Sequence, residues 1–154
     1  MPDDDHGGAL ALAYRYLNRR DRTEAEVRKH LEGNSLDAPV IDRSILTLTE
    51  QGYVNDVRFA RLFAQDKQEL EQWGSERIRR GLLTRGISSN LIDATLDGEA
   101  PETELARALD LLRRRFPSPP AERRDRDRAL GVLIRKGYNG EIALDALSAH
   151  ARGD

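Results

Sequence analysis

The stretch Gly52–Ile87, GYVNDVRFARLFAQDKQELEQWGSERIRRGLLTRGI, decides the fold. It reads as two helices broken at Trp73-Gly74. Asn55 suits the N-cap of the first, because its short side chain accepts from a free N–H of the opening turn. Behind it Phe59, Leu62, Phe63 and Asp66 recur at helical spacing, apolar except for the last. Ser75 can cap again, and Ile78, Leu82 and Leu83 carry the next apolar stripe. Gly86 stands where a helix C-terminus favours a residue of positive φ. Between the stripes lie Arg58, Arg61, Arg77, Arg79, Arg80 and Arg85, so the unit has one oily face and one guanidinium face.

Upstream, Ala9–Asn18 is helical with Leu10, Ala13, Tyr14 and Leu17 on one face, and Asp21-Arg22 breaks it. Thr23 to Glu26 spells a capping box that opens a helix through Val27, His30 and Leu31 to Gly33-Asn34. Asp37 caps a third helix with Pro39 in its first turn, ended by Gly52. Downstream come Ser88–Leu96, a long helix from Pro101 with Leu105, Ala108, Leu109 and Leu112 inward, and the linker Pro117-Ser118-Pro119-Pro120. A charged helix then ends in Leu130, Leu133 and Ile134. Gly137 stops it, Asn139 caps, and a last helix carries Ile142, Leu144 and Leu147. No alternating β pattern interrupts about nine helices.

An offset of 51 residues relates three copies of this pattern. Val27 maps to Ile78 and Ala129, Leu31 to Leu82 and Leu133, and Leu36 to Ile87 and Tyr138. Val40 maps to Leu91 and Ile142, and Ile45 to Leu96 and Leu147. The turn keeps register too, with Gly86 over Gly137 and a cap just after each. The first helix of each unit breaks the offset, so the preceding loops differ in length. A three-helix unit of this size buries too little surface to be stable alone, and stacked neighbours supply the rest. The expectation is an all-α fold: three tandem three-helix repeats in an elongated, curved, solenoid-like array. Residues 1–8 are read as a disordered acidic tail, 9–52 as repeat one, 53–98 as repeat two and 99–150 as repeat three.

Composition narrows the function. Charged residues make up 34% and aromatics 5%, so the core is lean and a large aromatic ligand pocket is excluded. A net charge of −2 argues against a nucleic-acid protein driven by overall basicity. The cations are nearly all Arg, with only Lys29, Lys67 and Lys136 as lysines. Arg suits bidentate contact with carboxylates and phosphates, although a G- and C-rich genome gives the same bias. With no Cys, thiolate chemistry and disulfides are excluded. His6, His30 and His150 stand at no ligand or triad spacing, and no GxxxxGK or GxGxxG occurs. No catalytic residue, metal site or cofactor is expected, and enzyme activity is not. No signal peptide or apolar span is visible, which predicts a cytoplasmic protein away from membranes; a monomer is expected.

What remains are Arg clusters: Arg15, Arg19, Arg20 and Arg22; Arg77, Arg79, Arg80 and Arg85; Arg113 to Arg115; and Arg123, Arg124, Arg126 and Arg128. The last alternates with Asp125 and Asp127 and reads as a solvated, self-balanced face. Around Arg77, Arg79 and Arg80 only Glu76 offers a nearby carboxylate. That cluster is open to either phosphate or acidic-partner contact, or to plain solubility.

Three motifs together resemble the RecX family of bacterial recombinase regulators. They are Arg19-Arg20-Asp21-Arg22-Thr23-Glu24-Ala25-Glu26-Val27; Gly52-Tyr53-Val54-Asn55-Asp56 with Arg58-Phe59-Ala60; and Gly74, Arg77, Ile78, Leu82, Gly86-Ile87. The resemblance covers roughly residues 9–98, and the last third fits as a further repeat of the same kind. It implies a protein that lies along the RecA recombinase filament on single-stranded DNA and restrains ATP hydrolysis, strand exchange and co-protease activity. It thereby implies a part in homologous recombination, DNA repair and the SOS response. The chain departs at Gln65–Glu71, which is more acidic than the family pattern and predicts weak contact with DNA alone. The partner face is expected at Arg19, Arg20 and Arg22 in the first repeat and Arg58, Arg77, Arg79, Arg80 and Arg85 in the second. The alternative is a direct DNA binder that uses the Thr23 or Ser75 helix of a helix-turn-helix-like unit.

Overall fold

The computed structural model describes residues 2–153. Nine α-helices and no strand occur among the described residues: α1 (Pro2–Arg19), α2 (Glu24–Gly33), α3 (Ala38–Glu50), α4 (Asp56–Leu70), α5 (Ser75–Thr84), α6 (Ser89–Leu96), α7 (Pro101–Arg115), α8 (Arg123–Lys136) and α9 (Gly140–Arg152). They pack chiefly in threes, and each triple has its own core. Ala9, Val27, Leu31, Ile41 and Leu48 anchor the first, Ala60, Ile78, Leu82 and Ile92 the second, and Ala108, Leu112, Ala129, Leu133 and Tyr138 the third. Burying each large aliphatic side chain is worth about 1.5–3 kcal/mol, which makes these positions the main source of each unit's stability.

The repeat is visible in the backbone. α3, α6 and α9 start at residues 38, 89 and 140, which keeps the spacing of 51. Val27, Ile78 and Ala129 are each fully buried, as are Leu31, Leu82 and Leu133. Positive φ recurs in the same register at Ser35 (62°), Gly86 (82°) and Gly137 (105°). The first helices start at residues 2, 56 and 101 and do not keep register.

Several local expectations are corrected. Residues 2–8 are not a tail but the opening turns of α1; Met1 lies outside the described residues. Gly7 and Gly8 look like breakers, yet they sit on the solvent side with nothing near them, a cost of about 1 kcal/mol each relative to Ala. The opposite side offsets it: Ala9 and Ala13 are fully buried, and the His6 ring bonds Ser44 Oγ at 3.3 Å. Ser75 is not an N-cap; Gly74 is, without a side-chain bond. Asp37 holds the N-cap position of α3 but its side chain makes no capping bond. Asn55, Ser88, Asn139 and the Thr23–Glu26 capping box perform as the sequence predicts.

The inward faces also differ from the apolar stripes. In α4 the core side is Ala60 and Ala64, while Leu62 faces out. In α9 it is Ala143, Ala146 and Ala149, and Leu144 is 55% exposed. Leu83 and Ile134 are also exposed. Small residues let helix axes approach, so alanine ridges face the neighbouring helix and some leucines are turned outward.

Candidate partner-binding face

The units are joined by a repeated head-to-tail joint. The last carbonyls of α8 meet the first amides of α5: Gly74 N–H donates to Lys136 O and Glu76 N–H to Gly137 O, both at 2.9 Å. One repeat earlier, the Thr23 hydroxyl at the start of α2 donates to Arg85 O at the end of α5, at 2.6 Å. Helix ends that would otherwise need water therefore satisfy one another, and α8, α5 and α2 run on from end to end. Glycine is required at both joints. A Cβ on Gly86 would run into that of Ala25, and one on Gly74 into the backbone of Gly137.

Side chains from the third unit reinforce the second joint. Glu104 Oε1, almost fully buried, accepts from Ser75 N–H at 2.9 Å and so replaces the cap that Ser75 does not supply. Tyr138 donates its phenol proton to Gln72 O at 2.6 Å. Burial pushes this phenol up to about 12, against the smaller opposing pull of Arg107. Arg107 donates to Trp73 O and pairs with Glu99; burial, the largest single influence, lowers its pKa, but the Glu99 bond and charge together with the Tyr138 phenol leave it raised. Glu99 and Glu104 line an acidic concavity with Glu102, Glu141 and Asp145, but both are engaged in these structural bonds.

Two cationic concavities with an aromatic side chain lie on equivalent faces of the first two units. One, of about 230 Å³, is lined by Leu12, Arg15, Tyr16, Arg19, His30 and Asn34. The other, shallower and about 520 Å³, is lined by Trp73, Arg77, Arg80, Gly81, Thr84 and Arg135. His30 and Gly81 are counterparts in the repeat, which places both on the same side of the helix column. In the first, Tyr16 stacks on His30 with ring centroids 4.0 Å apart, and the Arg22 guanidinium lies 4.0 Å from the same ring. In the second, Arg77 and Lys67 flank Trp73 at 4.2 and 4.8 Å. Aromatic rings fix cations in place while leaving their outer N–H groups free to donate.

The expected partner residues fall into two groups. Arg79 pairs with Asp93 at 2.6 Å, so the cluster is better balanced than the local sequence suggests. Its repeat counterpart, Arg28 with Asp42, has the same distance. Arg20 pairs with Glu26, Arg58 donates to Gly52 O, and Arg85 donates to Gly81 O beneath Phe63. Arg22 lies against Tyr16 with a buried Nε that has no partner. Arg77 donates to Arg135 O, and Arg19 and Arg80 are exposed. Among the described residues neither Arg80 nor Arg135 has a carboxylate within ion-pair distance. Arg135 was not among the expected partner residues, because it reaches the site from a different repeat.

Family models describing the first and second three-helix domains of RecX match residues 9–56 and 55–96. The regulatory protein RecX of Deinococcus radiodurans is 35% identical over 94% of this chain and 69% of its own length. That of Leptothrix cholodnii is 30% identical over 88% of this chain and 84% of its own. A Listeria monocytogenes RecX is 28% identical, and the chain spans only 52% of its length. Among solved structures, RecX from Lactobacillus salivarius superposes with a TM-score of 0.85 at 21% identity, covering 99% of both chains. A second RecX crystal structure gives 0.78 at 23% identity, covering 99% of this chain and 74% of the other. These two show the same all-helical fold. The motifs, the tandem three-helix units and the relatives agree: the chain belongs to the RecX family of regulatory proteins.

Proposed function

We propose that this protein is a non-enzymatic regulator that binds the RecA recombinase filament on single-stranded DNA and restrains its ATP hydrolysis, strand exchange and co-protease activity. The observation that carries the reading is the pair of cationic concavities on equivalent faces of successive units. A repeating protein polymer with phosphate along it presents anionic groups at intervals, and guanidiniums free of carboxylates, Arg77 among them fixed over Trp73, suit that pattern. Family membership supports the choice of filament. Arg19, Arg77, Arg80 and Arg135 are the working contacts in this reading, and Arg28 and Arg79 are engaged within their own units.

Titrating the protein into recombinase on single-stranded DNA and following ATP hydrolysis tests it. Inhibition that saturates near one protein per few recombinase subunits is expected; an unchanged rate at equimolar protein would sink the proposal. Against the direct helix-turn-helix reading stands the use made of two helix starts. Recognition helices contact base edges with their N-terminal residues. Here Thr23 is fully buried against Arg85, and the α5 start is covered by α8.

A further inference from the structure

The three repeats serve as controls for one another, and the third differs at one place. In the first two, the second and third helices are bridged by an ion pair: Arg28 to Asp42 and Arg79 to Asp93, both at 2.6 Å. The counterparts in the third, 51 residues on, are Leu130 and Leu144. The groove between α8 and α9 is thus open and apolar, with a volume of about 450 Å³ and a floor of Leu130, Leu144 and Leu147. This lies within the roughly 300–1,000 Å³ typical of ligand-binding clefts. Leu144 is 55% exposed although α9 has an alanine face already filling its core, so it plays little part in the packing.

The charge at the mouth of the groove is the second observation. Arg123 and Arg126 line it with a single carboxylate, Asp127, and with Arg124 the two arginines occupy the first turn of α8. The N-terminus of a helix carries about half a positive charge, so cations there are unfavourable. The N-cap, Glu122, makes no side-chain bond, and Asp125 in the same turn is one carboxylate against three arginines. Among the described residues none of Arg123, Arg124 and Arg126 has a carboxylate within ion-pair distance, despite the neighbouring Asp125 and Asp127. The self-balanced face expected from the sequence is therefore not formed. At the corresponding position to Arg126, the first two units have Glu24 and Ser75.

We infer that the α8–α9 groove docks an acidic, leucine-bearing amphipathic segment of a protein partner. Its aliphatic side chains fill the floor, and its carboxylates meet Arg123, Arg126 and the free amides of the α8 N-terminus. The apolar floor selects against a nucleic-acid backbone, which would leave the leucines exposed to water. The inference does not depend on the filament reading, because it uses a different unit and a different surface.

The test uses the full-length chain and a short fluorescein-labelled synthetic peptide with Glu and Leu at helical spacing. Anisotropy gives affinity, and amide shifts in a 15N spectrum locate the site. Saturable binding is expected, with shifts confined to residues 123–131 and 144–151, and no binding of the same peptide with Lys in place of Glu. The double variant Leu130→Arg with Leu144→Asp rebuilds the ion pair of the first two units and so keeps the fold, as circular dichroism checks; it should weaken binding at least tenfold. Absence of binding at millimolar peptide, equal binding by the double variant, tighter groove binding of a single-stranded oligonucleotide, or groove occupation by a second copy of the chain would each overturn the proposal.

Discussion

The two joints between units share one device and differ in how firmly it is closed. Both place the end of one second helix against the start of another, with glycine at the contact. The first is held by the Thr23 hydroxyl on Arg85 O and by Asp56 accepting from Glu24 N–H at 2.9 Å. The second adds two backbone bonds, the Glu104 carboxylate, the Tyr138 phenol, the Arg107–Glu99 pair and Lys136 donating to Glu71 O. A tandem array can thus be graded in stiffness without changing its geometry, and the second and third units should behave as one body.

The two joint glycines should differ most in what their loss costs. Gly74→Ala drives a methyl into backbone at the second joint and should cost at least about 3 kcal/mol in urea unfolding. Gly86→Ala meets only the methyl of Ala25 and a left-handed backbone, so about 1–2 kcal/mol is expected, part of it restored by Ala25→Gly. If the two losses proved equal, the joints would not differ as described. Next, Glu104→Ala strands the Ser75 amide and should cost about 2 kcal/mol, the range for a lost charge-assisted bond.

Tyr138 sharpens the comparison through pH. Its folded pKa of about 12 lies above the ordinary 10, because burial favours the neutral phenol. The stabilisation from this group is full below pH 10 and is lost as pH rises from 10 through 12. Tyr138→Phe should cost about 1 kcal/mol at neutral pH and flatten that alkaline loss. An equally steep alkaline loss in the variant would count against the assignment. The smallest effect is expected from Arg28→Ala and Arg79→Ala, whose partly exposed ion pairs are worth about 0.2–1 kcal/mol.

The fold was legible because it repeats. Five apolar positions in constant register, two glycines and the capping residues gave the element order before any coordinates. What stayed hidden was between units or between near-equal choices. Glu104 lies far in sequence from Ser75, so its role as a cap leaves no local signal. Alanine contributes little to an apolar stripe, which is why the spacing alone favours Leu62 and Leu144 as core. The arginines were legible as clusters but not as roles, because Asp93 stands 14 residues from Arg79 and is brought near only by the α5–α6 turn. The leucine replacement at Leu130 and Leu144 was readable in the repeat once Arg79 and Asp93 were known to touch.

Arginines without carboxylate partners at the second joint are proposed to meet the filament, whereas Arg28 and Arg79, each paired inside its own unit, are not. Inhibition of recombinase ATP hydrolysis by Arg80→Glu/Arg135→Glu, set beside Arg28→Ala/Arg79→Ala, tests this most directly. The first variant, still folded, should need at least tenfold more protein for half-inhibition, while the second stays within about twofold of the parent chain. Equal inhibition by both variants, or a larger loss in the second, would contradict it.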